Sequence, residues 1–169
     1  MSPPQPHELQ EVMERVFGQH SGAVTANDLG DKCQSFGNAS LASRIEPGHP
    51  TGYSLAAAMD RDGFIRAEAF AAWCMEETRF DELDGFLRRS FGDVNVQIME
   101  RQNDFCRFKL RGSNDQLKLS KVFALVEDIK TRMHIREYSV SQTTLEQIFN
   151  YFAAQQAEEK GVARGMNVA

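Results

Sequence analysis

Tyr138-Ser139-Val140-Ser141-Gln142-Thr143-Thr144-Leu145-Glu146-Gln147-Ile148-Phe149-Asn150-Tyr151-Phe152 changes its period part-way along. Up to Val140, residues Ile135, Glu137 and Ser139 oppose Arg136, Tyr138 and Val140, and this alternation of β-branched, aromatic and polar residues predicts a short strand. Thr143 and Glu146 then fit a capping box, in which the hydroxyl accepts an amide hydrogen bond and the glutamate reaches back, so a helix is expected from Thr143 or Thr144. Leu145, Ile148, Phe149 and Phe152 line one face of it, whereas Asn150 and Tyr151 lie off that stripe and offer a second surface.

Working back towards the N-terminus, Val122, Leu125, Val126, Ile129 and Met133 form a helix face. Residues 112–115 read as a loop. Before it, Val94, Val96 and Ile98 alternate with Asn95, Gln97 and Met99. Cys106, Phe108 and Leu110 likewise alternate with Phe105, Arg107, Lys109 and Arg111, which predicts a hairpin turning at residues 102–104. Phe80, Leu83, Phe86, Leu87 and Phe91 mark a helix over 80–91, ended by Gly92-Asp93, and Phe70, Trp73 and Cys74 mark a separate helix over 66–78. Helix, strand, strand, helix, strand is most of a ferredoxin-like, split βαβ unit.

The run Tyr138 to Phe152, with Leu119-Ser120-Lys121-Val122-Phe123-Ala124-Leu125 before it, resembles the cytosolic tail of subfamily A ATP-binding-cassette transporters, the lipid exporters. The resemblance covers roughly residues 80–157. It implies a ferredoxin-like regulatory domain of the kind that follows the second nucleotide-binding domain in that family. It also implies that Ile148, Phe149, Tyr151 and Phe152 belong to that domain's hydrophobic motif near the tail's end.

The first half reads differently. Leu9, Val12, Met13, Val16 and Phe17 predict a helix from His7 that stops at Gly18, and Thr25, Asn27 or Asp28 caps a second one running to about Phe36-Gly37. Glu46-Pro47-Gly48-His49-Pro50-Thr51-Gly52 is a Pro/Gly loop and the best internal boundary signal. Residues 53–59 read either as helix or as the missing first strand. In Asp60-Arg61-Asp62-Gly63-Phe64-Ile65 the glycine and the central hydrophobic residue stand where a calcium loop needs them, with Asp60 and Asp62 at loop positions 3 and 5. Ala58 and Ala69 occupy positions 1 and 12, and Glu68 comes one residue early, so the metal candidates Asp60, Asp62 and Glu68 form a degenerate EF-hand-like set.

The 169 residues carry a net charge of −5, distributed unevenly: residues 1–80 hold 11 acids and 6 bases, residues 81–169 hold 13 of each. With a pI near 5.4 and no basic-aromatic RNA-binding motif, nucleic acid is not an expected partner, although Phe105, Arg107, Lys109 and Arg111 would line an open sheet face. Cys33, Cys74 and Cys106 are unpaired in spacing and suit reduced thiols. His20, His49 and His134 show no metal-ligand spacing. No apolar run approaches the about 20 residues that span a bilayer, and no G-x-x-x-x-G-K-[ST] phosphate loop occurs. The residues therefore predict an α+β, non-enzymatic, cytoplasmic protein that meets a membrane only through a partner.

Its expected organisation is a disordered lead-in (1–6), a mostly helical, degenerate EF-hand-like segment (7–78), a ferredoxin-like regulatory domain (79–157) and a flexible tail (158–169). No cofactor is expected beyond a residual chance of calcium. The expected action is docking to a protein partner, such as a transporter nucleotide-binding or regulatory domain, through Ile148, Phe149, Tyr151, Phe152, Phe105, Arg107 and Lys109. A calcium-responsive adaptor and a remnant of a transporter ATPase are the alternatives.

Overall fold

The structure, a computed structural model, describes residues 2–18, 22–102, 105–112 and 117–142. The chain divides into two compact units, Met1–Tyr138 and Ser139–Ala169, and the elements below belong to the first. The helix expected from Thr143, with Ile148, Phe149, Tyr151 and Phe152, lies outside the described residues.

Helix α1 (Pro6–Phe17) begins one residue ahead of the His7 start read from the sequence. Pro6 supplies the fixed φ of a first helical residue, Glu8 accepts the Gln5 N–H at 2.6 Å to complete a capping box, and Gly18 closes the helix at φ 66°. The carboxyl of Glu8 is held below its usual range by that backbone hydrogen bond and by Arg79. Strand β1 (Ala23–Thr25) leads into α2 (Leu29–Ser35), with the Thr25 hydroxyl donating to Asp28 at 2.6 Å across the turn. A 3-10 turn (Ala39–Arg44) and the Pro/Gly loop follow. Residues 53–59 are helical: they belong to α3 (Tyr53–Asp62), which Gly63 ends in the left-handed conformation at φ 77°.

Strand β2 (Phe64–Arg66) pairs antiparallel with β1, placing Val24 opposite Ile65, and both side chains are buried. Two helix–strand–helix units thus meet through a short ribbon, and their apolar sides share one core of Val24, Cys33, Leu41, Leu55, Ile65, Phe70, Trp73 and Cys74. Phe70 stands edge-on to Phe17 and Phe36 and tilts against Trp73.

The two helices expected over 66–78 and 80–91 are one, α4 (Ala67–Phe91), whose 25 residues run without interruption through the expected boundary at 78/79. Buried Phe70, Trp73, Cys74, Glu77, Phe80, Leu83, Leu87 and Phe91 recur every three or four residues, so the stripe is continuous once Glu77 is counted as part of it. Arg79, on another side of α4, is also buried. It donates to Glu8 at 2.9 Å and to the Ser2 carbonyl at 3.3 Å, which ties the first residues and α1 to the long helix.

The hairpin forms as the alternation predicts, from β3 (Val96–Arg101) and β4 (Cys106–Leu110), with a register irregularity at Met99. Phe108 stacks on Phe80, and the Arg101 guanidinium lies 3.6 Å from the centre of the Phe80 ring, so the hairpin is seated on α4. Helix α5 (Leu119–Lys130) buries Val122 and Ile129. The strand expected over 135–140 does not form. The chain turns at His134 (φ 52°), Ile135 N–H donates to the Lys130 carbonyl, and Tyr138 packs against Phe123 while its hydroxyl donates to Glu127 at 2.8 Å. Residues up to Tyr138 therefore run back along α5, where the tyrosine ring finds its contacts without a ladder.

The shared core should fail as one. Phe70→Ala is expected to cost about 3–5 kcal/mol of unfolding free energy, measured by urea denaturation; a loss below about 1 kcal/mol would show that the two helix–strand–helix units do not depend on this ring.

Candidate functional site

Two features stand out: a buried ionic hub beneath the hairpin and the hairpin's outer face above it. The hub is centred on Glu77, 1% exposed. One carboxylate oxygen accepts from the Thr51 hydroxyl at 2.6 Å and from Arg101; the other accepts from Arg44 at 2.7 Å. Arg44 also makes a two-pronged pair with Asp81, at 3.0 and 2.8 Å, and Asn38 donates to the same Asp81 carboxylate. Trp73 Nε1–H donates to the Thr51 hydroxyl at 3.3 Å. Two guanidiniums and two carboxylates leave the cluster neutral, which is how so many charges persist under cover.

Local structure aims each member. Arg44 ends the 3-10 turn, Thr51 sits in the Pro/Gly loop, Glu77 and Asp81 are one turn apart on α4, and Arg101 ends β3. Gly52 is required because the Arg44 carbonyl passes so close that a Cβ would stand 1.9 Å from it. His49 Nδ1 accepts the Gly52 N–H at 3.1 Å, which fixes the loop's turn.

Burial pulls the His49 imidazole below its ordinary pKa, with Glu77 opposing and Arg101 and Arg44 adding to the drop. Burial works against the Arg44 charge, yet Asp81 and Glu77 together hold its pKa above the ordinary value.

Phe105, Arg107 and Lys109 come together at the outer side of the hairpin. On β4, Arg107 and Lys109 are exposed while Cys106, Phe108 and Leu110 are half-buried, and Phe105 and Met99 keep about half their surface in water, at 47% and 51%. Arg107 pairs with Glu100 across the ladder. No ion pair or hydrogen bond among the described residues engages the Lys109 side chain. The arrangement is a cationic, partly apolar platform.

The metal candidates do not converge. Asp60 and Asp62 both lie in the last turn of α3, two residues apart and so on diverging sides of the helix, and Asp62 pairs with Arg61 at 2.7 Å. Glu68 lies in the first turn of α4, where with Arg66 it borders an open apolar groove of about 540 Å³ lined by Leu9, Met13, Ala23 and Phe64. Among the described residues no group of three or more His, Cys, Asp or Glu side chains is placed to hold a metal ion. Sequence reasoning missed the hub; its one legible signal is an acid, Glu77, at an apolar-stripe position.

Residues 71–142, from within α4 through the hairpin and α5, match the family described as ABCA1-like, C-terminal R1 regulatory domain. The match starts earlier and ends sooner than the 80–157 read from the sequence. The chain is 32% identical over 73 residues to human ATP-binding cassette sub-family A member 2. It is 41% identical over 59 residues to the mouse retinal-specific phospholipid-transporting ATPase ABCA4. These alignments take in 43% and 35% of this chain but only 3% and 2% of the two relatives. No solved structure matches it. Among the described residues no helix is long and apolar enough to cross a membrane.

Removing the hub's central acid should leave Arg44 and Arg101 without their shared partner. Glu77→Ala is expected to cost about 3–5 kcal/mol by urea denaturation, while Glu77→Ala combined with Arg44→Met and Arg101→Met recovers most of it; additive losses would show that the three do not act as a unit.

The lowered pKa of His49 sets a pH dependence. The unfolded chain binds the proton more readily, so the His49 contribution is complete above about pH 6.5 and is lost as pH falls towards the lower folded value. Melting temperature should fall between pH 7 and 5, and His49→Asn, which keeps an acceptor for the Gly52 N–H, should flatten that fall; an unchanged slope would remove His49 as its source.

Proposed function

We propose that this chain is a non-catalytic regulatory module that works by docking to a protein partner, the class of partner being a nucleotide-binding or regulatory domain of a subfamily A transporter. The observation that carries the reading is that the matched residues, 71–142, include the whole hairpin whose outer face bears Phe105, Arg107 and Lys109. A regulatory domain without catalytic groups acts through its surface, and this is a face within the matched stretch on which two cations and an exposed aromatic ring occur together. Ile148, Phe149, Tyr151 and Phe152 would add an apolar contact. One matched relative is named as a phospholipid transporter, and by this reading the chain serves lipid transport from the cytoplasmic side, reaching the membrane through its partner.

The finer fold description belongs to the same proposal. The second half follows a ferredoxin-like plan, supported by its helix–strand–strand–helix order. The first half is a degenerate EF-hand-like pair, supported by two helix–strand–helix units joined at Val24 and Ile65. It acts as a scaffold: it carries Arg44 and Thr51 to the hub rather than sensing calcium.

Binding to a purified nucleotide-binding domain of a subfamily A transporter, followed by calorimetry, tests the reading. Arg107→Glu with Lys109→Glu should weaken binding at least about tenfold, and alanine at Ile148, Phe149 and Tyr151 should weaken it further. Folded variants that bind as tightly as the unaltered chain would refute docking through these faces.

A further inference from the structure

The β3–β4 sheet has only two strands among the described residues, and its pairing shows which backbone groups are spent. Arg111 N–H donates to the Asn95 carbonyl, and Gln102 N–H donates to the Phe105 carbonyl. Hydrogen-bonded and non-hydrogen-bonded pairs alternate along an antiparallel ladder, so with the observed register Lys109 and Arg107 turn their N–H and C=O towards β3. Cys106, Phe108 and Leu110 turn theirs outward. Among the described residues no hydrogen bond meets the outward groups of Phe108 and Leu110. The segment expected to lie in the sheet, from Ile135, is held on α5 by Tyr138 instead.

Side chains along β4 sort by face. Phe108 and Leu110 point to the half-buried face, and Arg107 and Lys109, followed by Arg111, point to solvent; β4 itself holds no acid. An added strand would need apolar side chains on one face and carboxylates on the other, at the same two-residue period. A second copy of β4 does not meet that need, because it would bring Arg107 and Lys109 beside the same cations. Cations on an exposed edge discourage indiscriminate pairing, and for the same reason they select a strand of opposite charge.

We propose that β4 is a strand-addition edge that accepts an extended segment of the protein partner in which apolar and acidic residues alternate. The proposal rests on the docking reading above and narrows it to one edge and one chemistry. Main-chain hydrogen bonds to Phe108 and Leu110 supply the grip, and Arg107, Lys109 and Arg111 supply the choice of partner.

The test is amide hydrogen exchange of the full chain, followed by NMR, with two eight-residue synthetic peptides: one alternating valine with glutamate, the other valine with lysine. The glutamate peptide should slow exchange at Phe108 and Leu110 at least about tenfold and leave Lys109, already bonded within the hairpin, unchanged. Arg107→Gln with Lys109→Gln, which keeps the hairpin's polar outer face, should abolish discrimination between the peptides. Equal slowing by both peptides, or no slowing at Phe108 and Leu110, would overturn the proposal. Capture of a transporter nucleotide-binding domain with exchange at those two amides unchanged would also overturn it, while leaving the broader docking reading standing.

Discussion

A carboxylate cut off from water must be met by donors on every side, and Glu77 is met by Arg44, Arg101 and the Thr51 hydroxyl. Those donors come from the 3-10 turn, the Pro/Gly loop and the end of β3, so one buried oxygen pair gathers segments that sequence reading assigns to separate halves. An apolar residue at 77 would fill similar space, but it would not require Arg44, Thr51 and Arg101 to arrive together. The hub therefore contributes definition more than net stability: an intact ion network in a low-dielectric site roughly balances its own desolvation, while a broken one does not.

That definition bears directly on the outer face. A two-stranded hairpin is marginal by itself, and this one is fixed from below by Phe108 on Phe80 and by Arg101, which both covers the Phe80 ring and reaches Glu77. Arg101 thus joins apolar and ionic packing in one side chain. Because β4 alternates strictly, fixing Phe108 inward also fixes Arg107 and Lys109 outward. The sheet's pleat presents both cations, and Arg107 is further held by Glu100 across the ladder.

The elements with the strongest local chemistry were legible. The apolar spacing from Leu9 to Phe17 and the stop at Gly18 locate α1, and period-two alternation locates both strands of the hairpin with Phe105, Arg107 and Lys109 on it. What failed did so where local pattern has two solutions. Alternation around Tyr138 suits a strand, but a tyrosine beside Phe123, Glu127 and Lys130 is equally satisfied lying along a helix, and the turn at His134 decides the matter. Glu77 went unread because its partners lie 33, 26 and 24 residues away, and no window along the chain contains them all. The Pro/Gly loop, read as a boundary, is instead where His49, Thr51 and Gly52 build one wall of the hub.

The reach of α4 follows from the same chemistry. The stretch resembling a transporter regulatory domain starts at residue 71, inside α4, yet two of the three side chains that satisfy Glu77 come from residues 44 and 51. Residues 71–142 by themselves would retain Arg101 and Asp81 but leave half of the Glu77 carboxylate facing the place that Arg44 fills. A long helix is the economical answer to that demand: its first turns carry Phe70 and Trp73 into the core of the two helix–strand–helix units, and its later turns carry Phe80, Leu83 and Leu87 under the hairpin. The first half is thus not an appendage to the matched stretch. It supplies the missing donors for the acid on which the hairpin's placement depends, and through it the helical half takes part in presenting the cationic face.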